Sequence, residues 1–447
     1  MKWDMTQGNP IKVIWNFSVS ILIGNIFQQL YNMVDSIIVG KILGVKALAA
    51  VGSTGSINFL VLGFVIGICT GFGIPIAQFV GAKDERNVKK CIINAGYLAV
   101  IISVILTIAT VLATGWMLRV MRTPADIYQD AYDYIVIIFA GLGAAMFYNL
   151  LTSISRGMGD VRTPLIFLIV ASVLNVILDY ILIKFTPLGT AGAAYATVAA
   201  QLIAGILCMI YMYRKYPILH VDKEDRAMDP AIMKRLLLVG IPMALQYSIT
   251  AIGTIIVQVA VNTLGSLIVA SVTAAIRIQS VITQPFDAMG LTLTTFCGQN
   301  YGAGKIERIQ KGIRQTIILA FGISAVLLGI VYFLGEPLTG LFVKGENLEL
   351  VRYTRKFMNI NGIFFWSLGL LIVLRNAIQG LGYAGAAMFA GVFETIGRII
   401  VAFGLAATLG YTAICFANPT AWIMADILLV GAYIWVMKRI KTRYGMA

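Results

Sequence analysis

Apolar runs separated by short polar clusters repeat along almost the whole chain. A helix rising 1.5 Å per residue needs about 20 such residues to cross a hydrocarbon core about 30 Å thick. Windows of this kind fall at 11–39, 48–80, 91–116, 132–155, 163–184, 188–213, 235–263, 268–299, 312–334, 356–380, 386–409 and 414–437, and they predict twelve transmembrane helices.

The longest polar stretch, "YRKYPILHVDKEDRAMDPAIMKR" at 213–235, has both signs of charge and two prolines and divides the chain nearly in half. It predicts a first six-helix lobe over 1–213, a cytoplasmic linker over 214–234 and a second lobe over 235–447. The halves resemble each other: "VGAKDERNVKKC" at 80–91 matches "YGAGKIERIQKG" at 301–312, with Lys83, Glu85 and Arg86 meeting Lys305, Glu307 and Arg308 at an offset of 222, and "RGMGDVRTP" at 156–164 matches "QGLGYAGAA" at 379–387 with an offset of 223. Six spans per half make this a parallel repeat, an arrangement typical of alternating-access transporters with a cavity between the lobes. The expected fold class is an all-α integral membrane protein with two pseudo-symmetric six-helix bundles.

Composition agrees. Of 447 residues 59% are hydrophobic and 12% charged, and the mean hydropathy is +0.87, which excludes a soluble domain of this length. The net charge of +14 raises the question of nucleic acid, and its placement answers it. Of the 34 Lys and Arg residues, 22 flank the spans on the side of the termini and the linker, nine lie on the other side, and Arg277, Arg375 and Arg398 lie within spans. The positive-inside rule then places both termini in the cytoplasm of a plasma (inner) membrane protein, with anionic lipid and not nucleic acid as the partner of the charge. The N-terminus "MKWDMTQGNPIKVIW" runs straight into a span longer than the apolar region of a signal peptide, so retention is expected. The five cysteines are scattered, with no C-x-x-C spacing, as apolar fillers would be. The one histidine, His220, sits in the polar loop and argues against a histidine-ligated metal centre. Enzyme signatures are absent; "GQNYGAGKI" comes nearest to a phosphate loop but is one residue too long and has Ile306 where Ser or Thr is needed. Neither an enzyme nor an ATP-driven pump is expected.

Five acids fall inside the apolar windows: Asp35, Asp179, Asp287, Glu394 and Asp426. Each costs several kcal/mol in hydrocarbon unless it faces a cavity, a partner or an ion. Asn25, Gln28, Asn32 and Asp35 are spaced 3, 4 and 3 and stack on one helical face, as do Asn175 and Asp179 four apart. At 1.5 Å per residue Asp35 lies roughly 37 Å above Pro10, Asp179 roughly 24 Å above Thr163 and Thr197 roughly 14 Å below Leu188, all similar depths in the outer half of the bilayer. Two carboxylates, an amide and a hydroxyl at one level suit Na⁺ as hard oxygen ligands, or a proton shared by the carboxyl pair. The alternative is that the acids are only hydrogen-bonded to helix neighbours.

The second half does not repeat this chemistry: Val257 stands opposite Asp35, and Arg398 and Ala402 stand opposite Asn175 and Asp179. It has an uncharged stripe, Gln246, Thr250, Thr254 and Gln258, with Asp287 and Glu394 elsewhere. Glu394 and Arg398, four apart, can neutralise each other within one helix. Asp287 has no such partner and is the better candidate to attract a cationic substrate; Asp426 has no polar stripe around it. Gln28, Asn32, Gln246, Asp287 and Glu394 are the candidate cavity residues. Glycines 63, 67 and 71, spaced by four, predict close helix packing.

The segments "QQLYNMVDSIIVG", "LAAVGSTGSINFL", "GIPMALQYSITAIGTIIVQ", "GQNYGAGKIERIQKGIR" and "RGMGDVRTP" resemble the multidrug and toxic compound extrusion (MATE) family over all twelve helices. The resemblance implies an antiporter without cofactor, expected to work as a monomer, in which entry of Na⁺ or H⁺ drives out small organic cations. It implies that Asp35, Asn175, Asp179 and Thr197 bind the cation. Two features depart from relatives: Ser20 stands where many have proline, although Pro242 mirrors it, and the seventh and tenth helices lack the acids of a second cation site. The rivals are a flippase for lipid-linked precursors, which needs a cavity rich in unpaired Arg and Lys, and a non-transporting scaffold or channel, which needs neither two lobes nor a paired carboxylate site.

Overall fold

The computed structural model describes residues 4–220, 223–342 and 348–445. Lys2 and Lys344, included in the charge count, and Val221 and Asp222 of the linker lie outside them. Among the described residues all regular structure is helical, and nine single helices plus three bent pairs make up twelve spans. The spans are α1 (Pro10–Ile42), α2 (Gly55–Gly81), α3 (Glu85–Val120), α4 (Tyr128–Ala140 and Leu142–Gly157), α5 (Arg162–Phe185) and α6 (Thr190–Lys215). Then follow α7 (Pro230–Asn262), α8 (Ser266–Ile282 and Gln284–Gly302), α9 (Ile306–Phe342), α10 (Leu348–Ile363 and Phe365–Gly380), α11 (Ala384–Ile399, continued by a π-helical turn at Ile400–Leu405) and α12 (Ala417–Arg443).

The three bends have local causes. α4 bends by 49° at Gly141, where a Cβ would lie 2.3 Å from Val198 of α6, so only glycine allows the two helices to approach. α8 bends by 46° just before Pro285, whose ring and missing N–H interrupt the backbone ladder. α10 bends by 53° at Phe364, one turn after Asn361, whose amide donates to the Phe357 carbonyl (2.9 Å) and to the Cys415 carbonyl (3.1 Å). α1 runs without a break through Ser20, whose hydroxyl donates to the Asn16 carbonyl at 3.3 Å.

The repeat is visible in the backbone. Left-handed turns recur in both halves: Gly44 and Gly265 (φ 89° and 95°), Lys83 and Gly304 (57° and 70°), Gly159 and Gly382 (88° and 91°), Gly189 and Gly410 (55° and 54°). At the second pair the turn hydrogen bonds Lys83 N to Val80 O and Gly304 N to Tyr301 O, both 3.1 Å, set the register at 221 and not at the 222 obtained by matching Lys83 to Lys305. The same partners also pack in each half, α2 with the second helix of α4 and α5 with α6 in one, α8 with α10 and α11 with α12 in the other.

The chain forms two compact units. One holds Met1–Asp4 and Ile23–Ala244, the other Met5–Leu22 and Leu245–Ala447, so each half contributes the start of its first helix to the other unit. In the first unit the glycine face of α2 receives α7: a Cβ on Gly67 would lie 2.7 Å from Ala244 Cα, and one on Gly71 2.5 Å from Gly240 Cα. In the second unit the start of the chain is tied to α8 and α9, with Ser18 Oγ donating to Thr292 Oγ1 (2.9 Å), Met5 N to Gln299 Oε1 (3.1 Å) and Lys305 Nζ to the Thr6 carbonyl (2.7 Å).

Asp160, in the turn between α4 and α5, clamps the near ends of α5 and α6. Its carboxylate accepts from Arg162 N (2.9 Å), Thr163 N (3.1 Å), Lys215 Nζ (2.7 Å) and the Tyr216 hydroxyl. Burial pushes this carboxyl up, but the bonds from Lys215, Thr163 and Tyr216 outweigh it and hold it at about 2. The same burial and the carboxylate push the Tyr216 phenol up to about 12. Tyr383 stands in the equivalent turn of the second half, so the clamp is a feature of one half only.

Gly71→Leu is expected to destabilise the purified protein by about 1–3 kcal/mol, because the added side chain meets the α7 backbone. Gly52→Ala, whose Cβ meets nothing within 4 Å, is expected to leave the thermal midpoint unlowered. Equal melting of Gly71→Leu and the parent would show that α7 does not need this groove. Asp160→Ala is expected to cost about 2 kcal/mol, a lost cap plus a charge pair discounted for the exposed Lys215. Asp160 is more acidic folded than unfolded, so its contribution is complete above about pH 4 and fades as pH falls toward about 2. The stability gap between parent and variant, followed by thermal melts across pH, should close over that range.

Candidate cation site

Within the first unit, α1, α4, α5 and α6 bring polar side chains together among apolar ones. α1 supplies Asp35 and, one turn earlier on the same face, Tyr31; α5 supplies Asn175 and Asp179; α6 supplies Thr197; α4 supplies Tyr134. Asp179 is 0% exposed and Asn175 1%, while Asp35 and Thr197 are half-buried. The carboxyl groups of Asp35 and Asp179 are in hydrogen-bonding contact. The hydrogen-bond network orients the Asn175 amide with its nitrogen toward Asp179 Oδ2, at 2.7 Å, and its oxygen accepting from Thr197 N and Oγ1, each at 3.2 Å. The Tyr31 hydroxyl shares a hydrogen bond with Thr197, and Tyr134 lies close to both acids.

Oδ1 of Asp35 and Oδ1 of Asp179 are buried without a hydrogen-bond partner. Two carboxyl groups in contact can form a hydrogen bond only if one carries a proton, and as two anions they repel unless a cation lies between them. The donor set fits one positive charge: two carboxyl oxygens left unpaired, a hydroxyl, and an amide that fixes the position of Asp179. Among the described residues no group of three or more His, Cys, Asp or Glu side chains is placed to hold a metal ion.

The depth estimate from helix rise thus chose side chains that the structure brings together. Tyr31 and Tyr134 were missed. Tyr31 carried a signal, being four residues before Asp35, whereas nothing in α4 marks Tyr134.

The other predicted residues lie apart from this group. Gln28 and Asn32 are exposed on the same face of α1 as Asp35. In the second unit Gln246 is buried and accepts from Gln379 Nε2 at 2.5 Å. Glu394 is buried and bridges two arginines, Arg398 four residues on at 3.4 Å and Arg375 of α10. Asp426 accepts from Ser367 of α10 and keeps Oδ1 unpartnered, and Asp287 is exposed in the first turn of the second α8 helix. The sequence signal for the α10 partners was the spacing of Ser367, Arg375 and Gln379 by eight and four, one face of a helix.

Comparison with known proteins agrees with this architecture. The family model MatE matches residues 20–181 and again 242–404, one match in each half. The chain is 28% identical over 449 residues to the "Probable multidrug resistance protein YoeA" of Bacillus subtilis (strain 168), covering 97% of this chain and 96% of that one. A crystal structure of MATE in complex with MaL6 superposes with a TM-score of 0.89 at 24% identity, over 98% of both chains. A MOP superfamily transporter from Pyrococcus furiosus Vc1 (DSM3638), described for the reverse polarity of its binding pocket, also reaches 0.89 at 24% identity, over 98% of this chain and 97% of that one. With the MatE model matched in both halves and the twelve-span duplicated fold in place, the chain belongs to the MatE (multidrug and toxic compound extrusion) family of multi-pass membrane transporters.

Proposed function

We propose that the protein is an antiporter that exports organic, cationic amphiphilic compounds by alternating access, in exchange for Na⁺ or H⁺ bound at Asp35 and Asp179. The observation that carries this reading is the pair of buried carboxyl groups in contact, each with an unpartnered oxygen, in the first unit. A buried pair of this kind is stable with one positive charge and strained without it, so its occupancy and the conformation around it are linked. Binding of the cation to one facing state and of the organic substrate to the other needs only different affinities of the two states. A membrane potential supplies about 2.3 kcal/mol per charge per 100 mV, enough for a steep concentration ratio without ATP or a cofactor. The cargo leaves unchanged, with no chemical step and no enzyme activity. Both six-span units lie in one chain, which suits a working monomer, and the excess of Lys and Arg on one side supports cytoplasmic termini.

Multidrug resistance is the role given to the similar Bacillus subtilis protein, and the exposed Asp287 suits attraction of a cation. A flippase for lipid-linked precursors is not favoured. It needs unpaired arginines for a pyrophosphate, whereas Arg375 and Arg398 both bind Glu394.

Efflux of ethidium from inverted vesicles under imposed Na⁺ or pH gradients tests the proposal. Asp35→Asn and Asp179→Asn are each expected to lower gradient-driven efflux by about tenfold or more, the effect of about 1.4 kcal/mol of lost coupling. Parent-like transport by both variants under both gradients would overturn the assignment. Tyr31→Phe removes the hydroxyl that holds Thr197, and is expected to raise the half-saturating cation concentration about fivefold, as loss of one net hydrogen bond does, with the maximal rate kept. An unchanged half-saturation would place Tyr31 outside the site.

A further inference from the structure

The first unit contains a cavity that the cation site does not use. It is a groove of about 490 Å³ between α3 and α6, floored by the second helix of α4. Ile93 and Val100 of α3, Phe147 and Leu150 of α4, and Met209 and Met212 of α6 are among its lining residues. The hydroxyl of Ser103 donates to the Val100 carbonyl of its own helix at 2.9 Å, which leaves this wall apolar. Val100 is 64% and Met209 44% exposed, so the groove opens on the outer surface of the unit, beside the exposed apolar faces of α3 (Val104, Ile105) and α6 (Ile206, Ile210). Gly96 and Gly143 keep it wide, since a Cβ on either would meet no heavy atom within 4 Å. An open apolar slot on a membrane-spanning surface is filled by hydrocarbon, because water there would wet apolar area at roughly 25 cal/mol per Å².

The linker forms one end of the groove and gives it polarity. Leu219 lines it, the Tyr97 hydroxyl donates to the Arg226 carbonyl at 2.9 Å, and the ring of Tyr213 lies 4.5 Å from that of His220. Three cations near this end pair with acids: Lys89 with Asp225 (4.0 Å), Lys90 with Asp229 (3.6 Å) and Lys215 with Asp160 (2.7 Å). Arg226, and Arg214 next to Tyr213, are exposed and pair with no acid among the described residues. Two exposed guanidinium groups thus belong to the segments that bound one end, and the interior is apolar, a pattern that an anionic lipid complements.

We propose that the groove holds one acyl chain of an anionic phospholipid from the leaflet on the linker side, with its phosphate at Arg226 and Arg214, so that the lipid joins the linker to the first unit. The chain displaces water from the slot, and the phosphate supplies a counter-charge to the two arginines. The site is separate from the carboxyl pair and does not depend on which ion that pair binds.

The test uses the full chain in bilayers containing a phosphatidylglycerol with a photoreactive group near the end of one acyl chain, or the matched phosphatidylcholine, and maps labelled peptides by mass spectrometry. Phosphatidylglycerol is expected to label the groove peptides of α3, α4 and α6 about fivefold more than phosphatidylcholine, the effect of one positive charge near the phosphate. Arg226→Gln, at an exposed position, should reduce phosphatidylglycerol labelling toward the phosphatidylcholine level and leave the latter unchanged. Gly143→Phe fills the slot and should reduce labelling by both lipids, and Gly96→Leu gives the same reading if that variant does not fold. Equal labelling by the two lipids in the parent, or groove labelling unaffected by a folded filling variant, overturns the proposal. So does displacement of the label by a transported organic cation, which would assign the groove to substrate.

Discussion

Hydrocarbon offers no hydrogen bonds, and from this constraint the rest of the structure follows. Every span is a helix because only a helix pairs its own backbone groups within the segment. Where a span bends, the freed groups are met by protein, as at Asn361, whose amide takes carbonyls from both its own helix and the segment before α12. The same constraint makes each polar side chain in a span informative. Serines and threonines of the lipid-facing helices turn back onto their own carbonyls, as Ser103 and Thr110 do in α3. Asp35, Asp179 and Asp426 cannot, and each keeps a buried oxygen unpaired.

The two halves share a backbone and differ in chemistry. Four pairs of left-handed turns and the same helix pairings recur, yet the α5 position of Asn175 is taken in α11 by Arg398. A guanidinium is a cation that cannot leave. Glu394, held between Arg398 and Arg375, therefore has its counter-charge built in, whereas Asp35 and Asp179 have none of their own. α11 also widens into a π-helical turn immediately after Arg398, at the level where α5 has Asp179. The two halves thus differ in their buried charge: one unit brings two acids together with no arginine beside them, and the other holds one acid between two arginines.

Features fixed by hydropathy or by one helix face were legible in the sequence. The twelve windows lie on the twelve spans, and the stripe ending at Asp35 and the Asn175–Asp179 spacing pointed to one site through helix rise alone. Glycines 67 and 71 announced close packing but not their partner, because the start of α7 lies far along the chain. What depends on contacts between helices stayed hidden: Tyr134 beside the acids, the bend at Phe364, and Arg375 as the second partner of Glu394, where four-residue spacing reveals only Arg398. The repeat register slipped by one at Lys83 because charge was matched there, while a left-handed turn, which Gly304 suits better than lysine, fixes the alignment.

α1 joins these observations. It is one continuous helix of 33 residues, yet its first part belongs to the second unit, tied there through Ser18 and by the segment before it, and its later part carries Tyr31 and Asp35 into the site of the first. A helix is stiff along its axis because its hydrogen bonds run parallel to it. Whatever holds Asp35 against Asp179 therefore constrains a rod whose other end the second unit grips. α7 has the mirrored arrangement, its start seated on Gly67 and Gly71 of the first unit and its later part in the second, but the flanking turns Gly44 and Gly265 set the register there at 221, so Ile256 and not Val257 stands at the level of Asp35. Of the two shared helices only α1 carries an acid at this level, so the first helix alone reaches the acids of the first unit with its later part while its start belongs to the second.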